Sequence, residues 1–185
     1  MTSGGSARDA AVSGRLMLIR HALPDAVPEI PARDWQLSAD GRLAARALRD
    51  RLPPSALLVA SDEPKAAETL REASGGAPVL TDPGFGEVHR PDEWVSDHRD
   101  RARAYVQGAR HPGWEPQPQV VARFEAAVQR HATTGRVLVI GTHGMAATVW
   151  LAAHTTIDPG PFWAALAFPD LLAVDLTAGT ITRCD

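Results

Sequence analysis

Apolar residues run unbroken through Leu16, Met17, Leu18 and Ile19, between Arg15 and Arg20. A run this short, without alternation, predicts a strand buried on both faces, and the prolines at 24, 28 and 31 predict a loop after it. Ser38 then precedes Leu43, Ala44, Ala47, Leu48 and Leu52 at helical spacing, with Asp40 in the first turn and Pro53-Pro54 beyond. This predicts a helix stopped at both ends. Residues 56–60 read as a second buried strand, and Ser61 as the start of a helix reaching to about Ala73. Pro78-Val79-Leu80 suits a short third strand before the turn Asp82-Pro83-Gly84. From Val88 to Pro118 the pattern weakens. A helix is expected over 118–131, a strand over 136–140, a helix over 145–153, and a closing hairpin from strands 171–176 and 180–183 around Ala178-Gly179.

Strands that alternate with helices imply an α/β layered sheet, and such sheets bind ligands beyond the carboxyl ends of their strands. The polar residues fall at those ends. Arg20-His21, the segment from Ser61 to Lys65, and Thr142-His143-Gly144 each follow an apolar strand, so three distant segments are expected to line one crevice.

Composition narrows the function classes. A chain of 185 residues with 44% hydrophobic content fits one domain with a sizeable core. Residues 1–13 read as a flexible Ser, Gly and Ala-rich tail and 14–185 as a single catalytic domain. A net charge of -3 speaks against nucleic-acid or membrane-surface partners, so the expected partner is a small phosphorylated substrate. The single cysteine, Cys184, demands no oxidising compartment, and no run has membrane-spanning length, so a cytoplasmic location is expected. The pattern selects no oligomeric state. Among 19 basic residues Lys65 is the only lysine, and asparagine is absent.

The expected crevice suits phosphoryl transfer. A phosphoryl group carries spread negative charge, so a catalyst surrounds it with cations and donors and aligns a nucleophile. Arg20, Lys65 and His143 supply the cations and donors, and the helix starts at Ser61 and Gly144 add free backbone N–H groups. His21 is the candidate nucleophile, attacking through one neutral ring nitrogen while a hydrogen bond on the other fixes the tautomer. Glu87, just after Gly84-Phe85-Gly86, is the candidate acid for the leaving group, with Asp82 as the fallback. No histidine or carboxylate pair has metal-ligand spacing, and neither a metal nor a cofactor is expected.

Taken in order, these segments resemble the histidine phosphatase superfamily, also called phosphoglycerate mutase-like. Arg20-His21-Ala22 is similar to its Arg-His-Gly, and Leu37-Ser38-Ala39-Asp40-Gly41 to its Leu-Ser/Thr-x-x-Gly. The run Ser61 to Thr69 is similar to its Ser-x-x-x-Arg-Ala-x-x-Thr, with Lys65 at the phosphate-binding arginine, and Thr142-His143-Gly144 to its Ser-His-Gly. Even the segment Phe162 to Leu166, with the strand after Asp170, has the family's look. The resemblance implies a three-layer α/β/α sandwich with a mostly parallel central sheet, and a phosphatase acting through a phosphohistidine on His21. It places the second histidine on His143, the acid on Glu87, and phosphate contacts on Arg20, Lys65 and Gly144. A phosphomutase and a weakened, ligand-binding pseudophosphatase are the alternatives. Three departures bear on them: Ala22 for glycine, no asparagine to place on phosphate, and Lys65, a point charge without arginine's planar fork.

The remaining polar residues admit ordinary readings. His89, Arg90 and Trp94 are candidates for substrate contact or simply solvated loop residues. Arg99, Arg101, Arg103 and Arg110, interleaved with Asp97 and Asp100, read as a solvated helix face. Trp35, Trp114, Trp150 and Trp163 are expected to pack.

Overall fold

Successive side chains of a strand point to opposite faces, so a strand apolar at every position needs a core on each side. The computed structural model, which describes residues 14–92, 95–132 and 135–184, meets this demand with two cores. In β1 (Arg15–Arg20), Leu16 and Leu18 enter one core while Met17 and Ile19 enter the other. The strands β2 (Leu57–Ala60) and β4 (Leu138–Thr142) divide in the same way, Val59 and Ile140 against Leu58 and Val139. Three layers result. The helices α1 (Ala39–Arg46) and α2 (Pro64–Ala73) pack together, and α2 brings Ala67, Leu70 and Ala73 to one face of the sheet. On the other face lie α3 (His98–Val106), α4 (Gln117–His131), α5 (Gly144–His154) and α6 (Pro159–Ala164).

With β3 (Leu80–Thr81), β5 (Asp170–Asp175) and β6 (Thr180–Arg183), the sheet runs in the order β3-β2-β4-β1-β5-β6. The pairs β3/β2, β2/β4 and β4/β1 are parallel, and β5 is antiparallel to both neighbours. Register sets the site: Arg20 lies opposite Thr142 and Ala60 opposite Gly141, so three carboxyl ends stop at one level. Asp170, the first residue of the antiparallel β5, pairs with Arg20, which carries the segment before β5 to the same edge.

Several element bounds differ from expectation. The helix expected from Ser38 ends at Arg46 and is followed by a separate 3-10 turn, Arg49–Arg51. Ser61 does not cap α2: its Oγ accepts the Glu63 N–H at 3.1 Å, Glu63 holds the cap position and Pro64 begins the helix. The strand expected over 136–140 is displaced to 138–142 because its pairing partners are β1 and β2. The helix α6 occupies a segment for which no helix is read from periodicity, whereas α3 carries the solvated face expected from Arg99, Arg101 and Arg103. In α3 only Ala102, Tyr105 and Val106 are buried, so its apolar stripe is thin. The proposed tail, 1–13, and Trp94 lie outside the described residues. Among the described residues no helix is long and apolar enough to cross a membrane.

The glycine of Leu37-Ser38-Ala39-Asp40-Gly41 has a steric reason. The Leu23 carbonyl accepts the Ser38 N–H at 3.1 Å and the Ser38 hydroxyl at 3.0 Å, and a Cβ on Gly41 would overlap that carbonyl oxygen. Gly41→Ala is expected to destabilise the protein by about 1–3 kcal/mol, measured by denaturant unfolding against wild type.

Candidate active site

His21 is the first residue past β1, held by its own N–H on the Thr142 carbonyl at 2.9 Å. Its ring is buried, 5.2 Å from the His143 ring and 5.3 Å from the Phe168 ring between centroids. Nδ1 lies 2.8 Å from the Ala22 carbonyl oxygen. A carbonyl only accepts, so Nδ1 carries the proton and Nε2 keeps its lone pair. Burial depresses the His21 pKa well below 6.5, and His143, Lys65 and Arg20 press in the same direction against the Ala22 hydrogen bond. The ring is therefore neutral at neutral pH.

His143 caps α5 and is fully buried. Its pKa is also well below 6.5, through burial first and then Lys65, Arg123 and Arg90, opposed by Glu87. Neither ring nitrogen has a hydrogen-bond partner in the protein. Nε2 lies 3.3 Å from Glu63 Oε1, close enough to count as an ion-pair distance but without hydrogen-bond geometry; the contact is best described as a near approach.

Arg20 is pulled into the site by the segment before β5. Its Nη1 donates to the Leu166 carbonyl at 2.7 Å and the Ala167 carbonyl at 3.4 Å, and the guanidinium stacks 3.5 Å from the Phe168 centroid. Burial lowers its pKa to about 10, against the attraction of Glu87 and Asp170, so it remains a cation at neutral pH. Its Nε is buried without a partner. Gly144 is the first residue of α5, and a Cβ there would lie 3.2 Å from both Arg20 Nε and Trp163 Nε1. Glycine leaves that space to the two nitrogens.

Lys65 is buried in the first turn of α2. Its ammonium donates to Glu63 Oε2 at 2.5 Å and to the Ala32 carbonyl at 2.7 Å. Thr69, one turn on, accepts the Ala22 N–H at 2.9 Å and donates to the Lys65 carbonyl at 2.7 Å, tying α2 to the loop after β1. Glu87 sits across the N-terminus of α5, with Oε1 accepting from Ala146 N at 2.9 Å and Val88 N at 3.0 Å, and Oε2 from Met145 N at 3.3 Å.

The structure thus brings together His21, His143, Arg20, Lys65, Gly144 and Glu87. It does not bring Asp82, whose carboxylate is consumed by Arg130, His131 and the Gly84 N–H. His89 is exposed beside Glu115, with 3.8 Å between Nδ1 and the carboxylate. Arg90 is half-buried, its guanidinium 5.9 Å from the Trp114 centroid. Among the described residues no group of three or more His, Cys, Asp and Glu side chains is gathered that could hold a metal ion.

Three neighbours of these residues escape the sequence reading. Arg123 of α4 clamps the loop that carries Glu87, donating at 2.9 Å to the carbonyls of Gly84, Gly86 and Glu87 while pairing with Glu115 at 2.8 Å. Phe168 covers Arg20 and His21. Glu63 binds Lys65 and, through Oε1, the Glu87 N–H at 2.7 Å. Only Glu63 leaves a sequence signal, an acid two residues ahead of the chain's lone lysine at a helix start.

A family model described as the histidine phosphatase superfamily (branch 1) matches residues 16–174. Among solved structures, TTHB049 from Thermus thermophilus superposes with a TM-score of 0.71 at 23% identity, covering 92% of this chain and 98% of that one. A phosphoglycerate mutase from the same organism gives 0.66 at 23% identity, over 92% and 98% of the two chains. A mycobacterial glucosyl-3-phosphoglycerate phosphatase complexed with VO3 gives 0.66 at 23% identity, over 86% and 91%. These likenesses share the fold. No curated protein gives a significant sequence match.

Proposed function

Because the chain belongs to the histidine phosphatase superfamily, we propose that it hydrolyses a small phosphate monoester through a phosphohistidine on His21. One observation carries this reading. The His21 Nδ1–H is committed to the Ala22 carbonyl, and the Nε2 lone pair is left near buried donors, Arg20 Nε and the single N–H of the neutral His143 ring, that have no partner within the protein. Buried polar atoms without partners are rare and costly, and a phosphoryl oxygen is the acceptor that would satisfy them.

In the first step Nε2 attacks phosphorus and the ester P–O bond breaks. Arg20, Lys65 and His143 offset the charge on the equatorial oxygens. Glu87 gives its proton to the leaving oxygen. In the second step Glu87 takes a proton from water, the water oxygen attacks phosphorus, and the P–N bond returns its electron pair to Nε2 as orthophosphate leaves.

The depressed His21 pKa has a consequence for rate. The reactive form is the neutral ring, which persists as pH falls through 6.5 because the folded-state pKa lies well below that value. The acid limb of kcat/KM is therefore expected well below pH 6.5, checked by a pH profile with an aryl phosphate. A limb centred at the ordinary histidine value would contradict a buried neutral nucleophile.

Hydrolase and mutase part at the second step. Incubation with phosphoglycerate and a panel of phosphorylated metabolites, read by orthophosphate release and by isomer analysis, is expected to give orthophosphate. Isomerisation without release would overturn the hydrolase reading.

A further inference from the structure

The carboxylate of Glu63 holds the Lys65 ammonium, a donor that a phosphoryl group would use. Oε2 holds the Lys65 ammonium at 2.5 Å, and Oε1 accepts the Glu87 N–H at 2.7 Å while lying 3.3 Å from His143 Nε2. The Glu63 side chain is 14% exposed and that of Lys65 6%, so neither charge is screened by bulk water.

Donor counting sharpens the point. A lysine ammonium has three N–H bonds, and here one goes to the Ala32 carbonyl and one to Glu63, leaving one. An arginine fork, with five, could serve a carboxylate and a phosphate together. An incoming dianion meets a carboxylate already on the Lys65 ammonium.

We propose that Glu63 is a specificity-determining residue of the anion pocket, whose carboxylate competes with phosphate for Lys65 and so disfavours doubly charged phosphoryl groups. The proposal rests on the phosphatase reading of the site. Glu63 lowers affinity for the dianionic product and favours substrates whose phosphoryl group carries less charge. The loss of arginine at position 65 and the presence of glutamate at 63 then form one arrangement, because lysine satisfied by Glu63 is the cation that makes the competition effective.

The test is titration calorimetry of orthophosphate into the full chain at about pH 8, where phosphate is mainly the dianion. Glu63→Gln is expected to tighten binding by about tenfold or more, and Glu63→Asp, whose carboxylate is one methylene further back, by less. A gain in affinity cannot come from damage to the fold, so a purely structural role for Glu63 would not produce it. In a Lys65→Gln background the Glu63→Gln gain is expected to shrink to about threefold or less, because the two residues act through one contact. Unchanged or weaker phosphate binding in both Glu63 variants, or a gain undiminished by Lys65→Gln, would overturn the proposal. Labelling of His21 is a separate readout, so the phosphohistidine reading can fail while orthophosphate affinity still responds to Glu63.

Discussion

Replacing His21 with alanine is expected to lower turnover of an aryl phosphate by at least about ten-thousand-fold, the scale on which removal of an enzymatic nucleophile is felt. The expectation is specific to Nε2. That atom sits at the end of β1 in a ring whose tautomer is fixed by the Ala22 carbonyl, and its pKa is depressed by burial so that the lone pair is present at neutral pH. The neighbouring ring nitrogens belong to His143, at the start of α5, and have no partner within the protein. The variant should fold, because the side-chain hydrogen bond of His21 reaches only to its own neighbour while the backbone N–H that joins β1 to Thr142 is retained. A His21→Ala protein with an unchanged unfolding midpoint and turnover within about tenfold of wild type would contradict the assignment.

Glu87→Gln should cost about 100- to 10,000-fold with an alkyl phosphate, the range for loss of a positioned general acid. The loss should shrink sharply with a nitrophenyl phosphate, whose leaving oxygen needs little proton assistance. Glu87 is held for this role from two sides. Its carboxylate receives N–H groups of Val88, Met145 and Ala146, and its carbonyl is gripped by Arg123. Glutamine keeps the shape but can neither donate a carboxylic proton nor take one from water. Equal losses for good and poor leaving groups would move Glu87 from proton transfer to holding the α5 N-terminus. That distinction is read by comparing kcat/KM across a series of leaving groups.

Much of this site was legible in the chain because buried parallel strands are written as uninterrupted apolar runs. The runs at 16–19, 57–60 and 138–140 each end in polar residues, and the register of β1, β2 and β4 puts those ends at one level. Arg20, His21, Lys65, His143 and Gly144 could therefore be gathered by reading alone, while Glu87 was chosen by its place after the Gly84-Phe85-Gly86 turn and by the family resemblance. What stayed hidden depends on contacts with no periodic signature. Phe168 reaches the site because β5 runs antiparallel and carries its preceding segment to Arg20, a direction that hydrophobicity does not encode. Arg123 acts from the middle of α4 on three carbonyls, and nothing about an arginine in a helix names its acceptors. Glu63 has the look of an ordinary acid at a helix start, where the helix dipole favours one, and only the fold shows it gripping Lys65. For α3 the solvated face of arginines and aspartates could be read, but its bounds could not, because only three buried positions mark its inner face.

The proposed hydrolysis passes through a covalent bond between phosphorus and His21. It is tested most directly by mixing the protein with a turning-over phosphate ester, quenching in alkali within a single turnover, and mapping the modified peptide by mass spectrometry. An acid-labile, alkali-stable phosphoryl group is expected on His21, forming and decaying at rates compatible with turnover. Steady hydrolysis with no phosphoryl group on His21 at any quench time, or with the label on another residue, would contradict it.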